Sequence, residues 1–301
     1  MSNVVSINAA PFEAPSIASA AMLVELSIST WTARKKDKGA SASVTNQAGA
    51  KANTATVNKS LLSGCDELTA LQKFTANTRN AHYAMTMPWS DSGLRLLPTA
   101  QYFEYHKAMT ALQNEYDKLT ATFLQAYAWE VTQAQVELGN LFNYDDYPST
   151  DTVASKFGFR MNYIPLADVS DFRVAIGQET QDALKAHYAG YYGQQLQSAM
   201  NDIWQRTFTA LQHMSTKLDY TDKDKKNIFR DSLVENVLEM VDMLSICNVT
   251  QDPDMARMQR KLATALQGVT AEGLREDAGL RREVKASVDE AIKALPSLDN
   301  W

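Results

Sequence analysis

The apolar positions of this chain recur at helical spacing over most of its length and at strand spacing in a few short stretches. Tyr105, Met109, Leu112, Tyr116, Leu119 and Phe123 are separated by 4, 3, 4, 3 and 4 residues, an a/d seam of about three heptads. The seam predicts a very long helix from Pro98 to about Leu141, with the proline in its first turn. Upstream, Leu68, Leu71 and Phe74 predict a helix over about Asp66–Met85, stopped by Pro88. Downstream, Leu196, Met200, Trp204, Phe208, Leu211 and Leu218 form the stripe of a second long helix, roughly Glu179–Leu218. Phe229, Leu233, Val237, Met240 and Leu244 mark a third over Asp224–Cys247, and Pro253 opens a fourth that ends near Leu266. Val284, Val288, Ile292 and Leu295 mark a last helix near Thr270–Leu295, and a short one is expected over Asp151–Phe157.

Alternation with period two is rarer. Val24, Leu26 and Ile28 alternate with Glu25, Ser27 and Ser29, the pattern of a half-buried strand. Phe159, Met161 and Tyr163 share one face of a second strand that ends at Pro165, and Asp171–Ile176 is a third candidate. The expected fold is α+β and predominantly α. It has long amphipathic helices in a bundle, with a small antiparallel sheet built from the N-terminal strand and residues near 159–176. Residues 1–16 read as a flexible N-terminal arm, 17–250 as the helical core with its sheet, and 251–301 as C-terminal helices. No internal repeat of solenoid length is present.

Composition adjusts this picture in two places. Only 12 glycines and 8 prolines in 301 residues fit long helices better than an all-β fold, which spends those residues on turns. The formal charge is −6, so the whole chain exerts no general attraction on nucleic acid or anionic lipid. The charge is unevenly placed, however. Arg34, Lys35, Lys36, Lys38, Lys51 and Lys59 stand against Asp37 alone over residues 34–59, a local +5 that leaves −11 on the remainder. That stretch is otherwise rich in Ala, Ser, Thr and Asn without periodicity, and reads as a mobile loop or an exposed hairpin. Cys65 and Cys247 are far apart and lack metal-type spacing, so both are expected to be buried free thiols in a reducing compartment. No apolar run approaches the ~18–20 residues of a membrane span, and the N-terminus lacks secretory-signal features. No membrane association and a cytoplasmic location are expected.

Candidate chemistry is sparse. His82, His106, His187 and His213 form no H-E-x-x-H or related spacing, and no phosphate-binding or nucleophile-elbow motif occurs. No catalytic residue, metal ligand set or cofactor is therefore assigned. Asp145 and Asp146 are adjacent carboxylates that fit either a divalent cation or a solvated turn. Two features carry more. Between Pro88 and Pro98, Trp89, Asp91 and Arg95 are compressed into a short loop. They form either an interaction anchor, since Trp and Arg dominate binding hot spots, or a packed corner in which Arg95 pairs Asp91. In the basic stretch, Arg34, Lys35, Lys36, Lys38, Lys51 and Lys59 suit a phosphate backbone with Trp31 as a stacking platform, or a solvated loop.

Several segments taken in order carry a family resemblance. They are Trp31-Thr-Ala-Arg-Lys-Lys-Asp37, Val57-Asn-Lys-Ser-Leu-Leu62, Pro88-Trp with Asp91-Ser-Gly-Leu-Arg-Leu-Leu-Pro98, and Phe229-Arg-Asp-Ser-Leu-Val-Glu-Asn-Val237. Together they resemble a family of phage, plasmid and bacterial proteins known only as a domain of unknown function, over about Val24–Pro253. Genes of that family often lie beside MoxR-like AAA+ ATPases and von Willebrand A (CobT-like) proteins. The resemblance implies a phage or mobile-element setting, the cytoplasm of a host bacterium, and partnership with that ATPase pair. It supplies no catalytic residues. The leading expectation is a non-enzymatic interaction protein, an oligomerising helical scaffold or adaptor for a MoxR-type ATPase. The alternatives are a single-stranded-DNA-binding or annealing protein that uses the basic stretch after Trp31, and a virion structural protein.

Overall fold

Helices dominate because the apolar stripes are long and interrupted by few helix breakers. The computed structural model describes residues 14–166, 178–220 and 230–296. The expected strand at Asp171–Ile176, Phe229 and most of the expected N-terminal arm lie outside these residues. Residues 14–16 of that arm begin a helix. The helices are α1 (Ala14–Ala20), α2 (Lys38–Gln47), α3 (Asp66–Ala84), α4 (Tyr102–Leu138), α5 (Thr150–Ala154), α6 (Gln178–Leu218), α7 (Ser232–Ile246), α8 (Pro253–Ala265), α9 (Ala271–Glu276) and α10 (Ala278–Lys293). The strands are β1 (Ala21–Ser29), β2 (Arg34–Asp37), β3 (Val57–Ser60), β4 (Met87–Pro88), β5 (Arg95–Pro98) and β6 (Gly158–Pro165). They form a four-stranded sheet of order β4-β5-β1-β6 and a separate β2-β3 pair. The fold is thus α+β and predominantly α, with a small antiparallel sheet, as the periodicities imply. No described helix is long and apolar enough to cross a membrane.

The chain divides into two compact units, and not at the expected boundary near residue 250. One comprises Met1–Glu25, Met85–Phe103 and Tyr163–Trp301; the other comprises Leu26–Ala84 and Glu104–Asn162. The C-terminal helices are not a separate element, because in the first unit α10 packs along α6 and α8 while α7 packs between α6 and α8. Leu196, Met200, Ile203, Trp204, Leu211 and Met214 of α6 fill this core from one side, and Val237, Val241 and Leu244 of α7 meet them. Each such side chain taken fully from water contributes about 1.5–3 kcal/mol before entropy is counted. The expected single C-terminal helix is broken at Asp277, whose carboxylate accepts from Gly279 N and Leu280 N and so starts α10 anew. The buried Arg281 then donates to the Leu274 and Arg275 carbonyls at the end of α9, at 3.0 and 3.2 Å, and lies over the Tyr220 ring.

The Pro88–Pro98 segment also departs from expectation. It is a hairpin, not a free loop: β4 pairs with β5, and β5 pairs with Ala21–Val24 of β1. Proline fits at both ends because each lies where a strand starts or stops. In β1 the consecutive residues Leu23 and Val24 are both buried, so both faces of the strand are covered there, where simple alternation would expose one of them.

In the second unit the α4 seam is covered by the chain's own residues. Tyr105 hydrogen-bonds His82 Nδ1 of α3 at 2.7 Å. The Tyr116 hydroxyl donates to Ser29 O at 2.6 Å and accepts from Gly158 N at 3.1 Å, so one side chain ties the end of β1 to the start of β6. Phe123 and Tyr127 pack on Trp31, with Phe157 against Phe123. Replacing Tyr116 with Phe keeps the ring but leaves that carbonyl and amide without their partner. It should cost about 1–2 kcal/mol in a denaturant titration, with the slope unchanged.

Candidate functional site

The basic stretch, expected as a mobile loop or an exposed hairpin, is a built hairpin. In the β2–β3 register Arg34 faces Ser60, Lys35 faces Lys59, Lys36 faces Asn58 and Asp37 faces Val57. Alternation therefore sends Arg34 and Lys36 to one face and Lys35 and Asp37 to the other. Helix α2 grows directly from β2. Asp37 is its N-cap, accepting from Ala40 N at 2.8 Å, and Ser41 Oγ accepts from Val57 N to hold the returning strand.

Lys35 and Lys59 sit directly opposite each other, an arrangement that is repulsive by itself. A third group resolves it. Asp146, in the turn Tyr144–Asp146, places Oδ1 2.6 Å from Lys35 Nζ and Oδ2 2.6 Å from Lys59 Nζ. Lys59 Nζ also donates to Leu141 O at 2.6 Å and lies 3.7 Å from Asp37. The side chains of Lys59 and Asp146 are 9% and 6% exposed, whereas that of Lys35 is 50% exposed. Burial alone would raise the Asp146 carboxyl, but the hydrogen bonds and charges of the two lysines outweigh it and hold it below its ordinary value. Asp146 thus binds two cations, though both are ammonium groups of its own chain, and the adjacent Asp145 stays exposed.

The sequence-assigned residues divide accordingly. Arg34, Lys36, Lys38 and Lys51 are exposed, and none of them enters an ion pair among the described residues. Lys35 and Lys59 are committed to Asp146. Trp31 is buried against Phe123 and Tyr127, so the stacking platform assigned to it has no free face. Trp89 is likewise no exposed anchor; it is buried in the first unit and packs on Tyr192 of α6. Arg95 does not pair the exposed Asp91. Its guanidinium donates to Thr86 Oγ1 at 2.6 Å and Thr86 O at 2.9 Å, the same carbonyl that Arg206 reaches at 3.0 Å. The Pro88–Pro98 segment is therefore a packed corner.

What sequence reasoning passed over is the outer face of α4. Trp129 and Val136 are 64% and 82% exposed. At 100° per residue they lie seven positions apart on one line, opposite the buried Tyr127, Val131 and Ala134. Beyond the helix end, Leu141 and Tyr144 are also exposed. An off-seam apolar pair at i, i+7 was the available signal. Beside this line run Glu130 and Glu137. Glu130 approaches Cys65 and Glu67 at the start of α3, where the three donor atoms lie within 4.8 Å of one another, the one metal-type cluster among the described residues. Its chemistry is accounted for by the helix start: Cys65 Sγ accepts from Leu68 N and donates to Glu67. Burial pushes this thiol up to about 12, so it stays protonated at neutral pH. Glu137 takes a hydrogen bond from Ser63 Oγ at 2.8 Å and lies over Gly64, where a Cβ would push its carboxylate aside.

Removing one member of the buried pair leaves a charge uncompensated. Asp146→Asn should cost about 3 kcal/mol, and a double-mutant cycle should couple Asp146 more strongly to Lys59 than to the half-exposed Lys35. Because the carboxyl is lowered on folding, its contribution is complete above the ordinary value of about 3.9 and fades as pH falls through the folded value. Acid unfolding curves of Asp146→Asn and the parent should therefore converge at low pH. No family model, curated relative or solved structure matches this chain.

Proposed function

We propose that this protein works by binding rather than catalysis, as an oligomerising helical scaffold or adaptor. The observation that carries the reading is the outer face of α4, where Trp129 and Val136 stand in line on the side away from the core. A soluble-facing helix ordinarily keeps that side polar, and an aligned exposed tryptophan is the residue type most enriched in interface hot spots. The seam itself does not supply the contact, because its aromatic residues are occupied within the unit. A MoxR-type AAA+ ATPase with its von Willebrand A companion is the partner class implied by the sequence resemblance. The phage or mobile-element setting rests on that resemblance too.

A second reading, binding of single-stranded DNA, is favoured by one observation: the hairpin leaves Arg34, Lys36, Lys38 and Lys51 exposed. It has lost its aromatic platform with the burial of Trp31 and needs phosphate contacts alone.

Mass measurement of the purified protein, alone and with a labelled single-stranded oligonucleotide, separates the two. The scaffold reading expects a concentration-dependent oligomer, or a stable complex with the ATPase. Trp129→Ala should weaken the contact by at least 2 kcal/mol, about thirtyfold in dissociation constant, while leaving the thermal melt in place. A monomer at every concentration that also captures no ATPase overturns it. The DNA reading expects a negative slope of log K against log salt, and is overturned by no binding at low salt.

A further inference from the structure

The outer face of the hairpin and the outer face of α4 are opposite in charge, and neither finds an ion partner among the described residues of the unit that carries both. On the hairpin, Arg34 and Lys36 share the face directed away from Asp146, and Lys38 and Lys51 follow in the connection, all exposed. On α4, Glu130 and Glu137 run along one side of the Trp129–Val136 line, about a quarter turn from it, and Asp66 and Glu67 in the first turn of α3 stand near Glu130. Among the described residues no lysine or arginine pairs with these four carboxylates. Crowding is visible in the chemistry of Glu130, whose carboxyl is raised first by burial and then by Glu67, Glu137 and Asp66. Four cations and four carboxylates thus sit on one compact unit without meeting each other.

We infer that the acidic, tryptophan-bearing face of α4 receives the basic β2–β3 hairpin of a second copy of this chain. The inference rests on the scaffold reading and names its interface. Charge complementarity selects the occupant, because the chain itself carries the cationic surface that the carboxylates require. The apolar parts also correspond. Val44 of α2 is exposed on the hairpin module, and a guanidinium or ammonium from β2 over Trp129 adds a cation–π contact. Opposite charges on one body make the contact reciprocal. A two-fold operator closes it into a dimer with two identical contacts, and any other operator propagates it into a ring or filament. The hairpin suits the role because the Asp146 clamp fixes its inner face and leaves only the outer one for a neighbour.

The test uses the full chain in three variants: R34E/K36E, E130K/E137K, and the quadruple combination. Their masses are followed by sedimentation over a concentration series at low and high salt, and fold is checked by thermal melts and by helical circular dichroism. Each double variant should weaken association at least tenfold, high salt should do the same to the parent, and the quadruple variant should associate again because both signs are exchanged. Because Glu130 and Glu137 also touch the start of α3, Trp129→Ser with Val136→Ser provides a second route to the same loss at fully outward positions. An oligomer that persists in every variant overturns the docking inference and leaves the scaffold reading standing. A parent that is monomeric throughout overturns self-association itself, and with no ATPase complex the scaffold reading falls as well. If R34E/K36E abolishes oligonucleotide binding while the mass of the parent is indifferent to all charge changes, the hairpin serves nucleic acid and the inference is overturned.

Discussion

A 37-residue helix can hide only one of its faces behind a chain of this size, and in the second unit that constraint organises what surrounds α4. The seam from Tyr105 through Phe123 to Ala134 is aromatic-rich, and each large ring needs both apolar cover and, for tyrosine, a partner for its hydroxyl. Cover comes from α3, from the end of β1 and the start of β6, and from Trp31 and Phe157. The hydroxyls then fix backbone that would otherwise be loose. Tyr116 joins β1 to β6, Tyr127 reaches Pro148 O at 2.8 Å, and Tyr147 reaches Leu61 O at 2.8 Å. Once the seam is satisfied from within, a coiled coil with another chain through the same residues is no longer available.

The Asp146 clamp shows why a composition-based reading of residues 34–59 reached only half of the answer. Lys35, Lys59 and Asp146 are separated by up to more than a hundred positions, and no local pattern announces that a carboxylate will arrive between two facing lysines. Ala, Ser, Thr and Asn, the residues that suggested a mobile loop, are small enough to form α2 with its cap on Asp37 and its buried Ser41 and Thr45. The run of basic residues read as one block concealed a division into inner and outer faces, and only the strand register separates them.

Periodicity was informative where burial is one-sided. The α4 and α6 stripes, the β1 and β6 alternation and the proline at the start of α8 all follow from residues within a turn or two of each other. It failed where a tertiary partner decides. Leu96 and Leu97 belong to a two-sided buried strand, which has no alternation to read, so the Pro88–Pro98 hairpin looked like a loop. The break at Asp277 depends on one carboxylate that caps two amides, a choice the stripe of Val284 and Val288 does not reveal. Of the candidate site, the charge of the hairpin was legible and its geometry was not. Trp129 was hidden in plain sight, since attention to the seam treats every off-seam residue as solvent-facing background.

The two exposed features on the second unit have an energetic cost in common. Arginine and lysine without an ion partner on one surface and crowded carboxylates on another forgo the attraction that an opposite charge would supply, and neither improves the core. Exposed charges are cheap in water, but Glu130 is half-buried, and burial with the neighbouring Glu67 raises its carboxyl. Local stability would be improved by one lysine in place of a carboxylate beside Trp129, or by a glutamate on the outer face of β2. The chain carries neither, and it keeps an exposed tryptophan on the same line. Features that oppose the stability of a unit, aligned on its surface and opposite in sign, are most simply reconciled when the penalty is relieved by contact with a complementary surface. The outer face of the hairpin, with Arg34 and Lys36, is a surface of matching charge on the same unit.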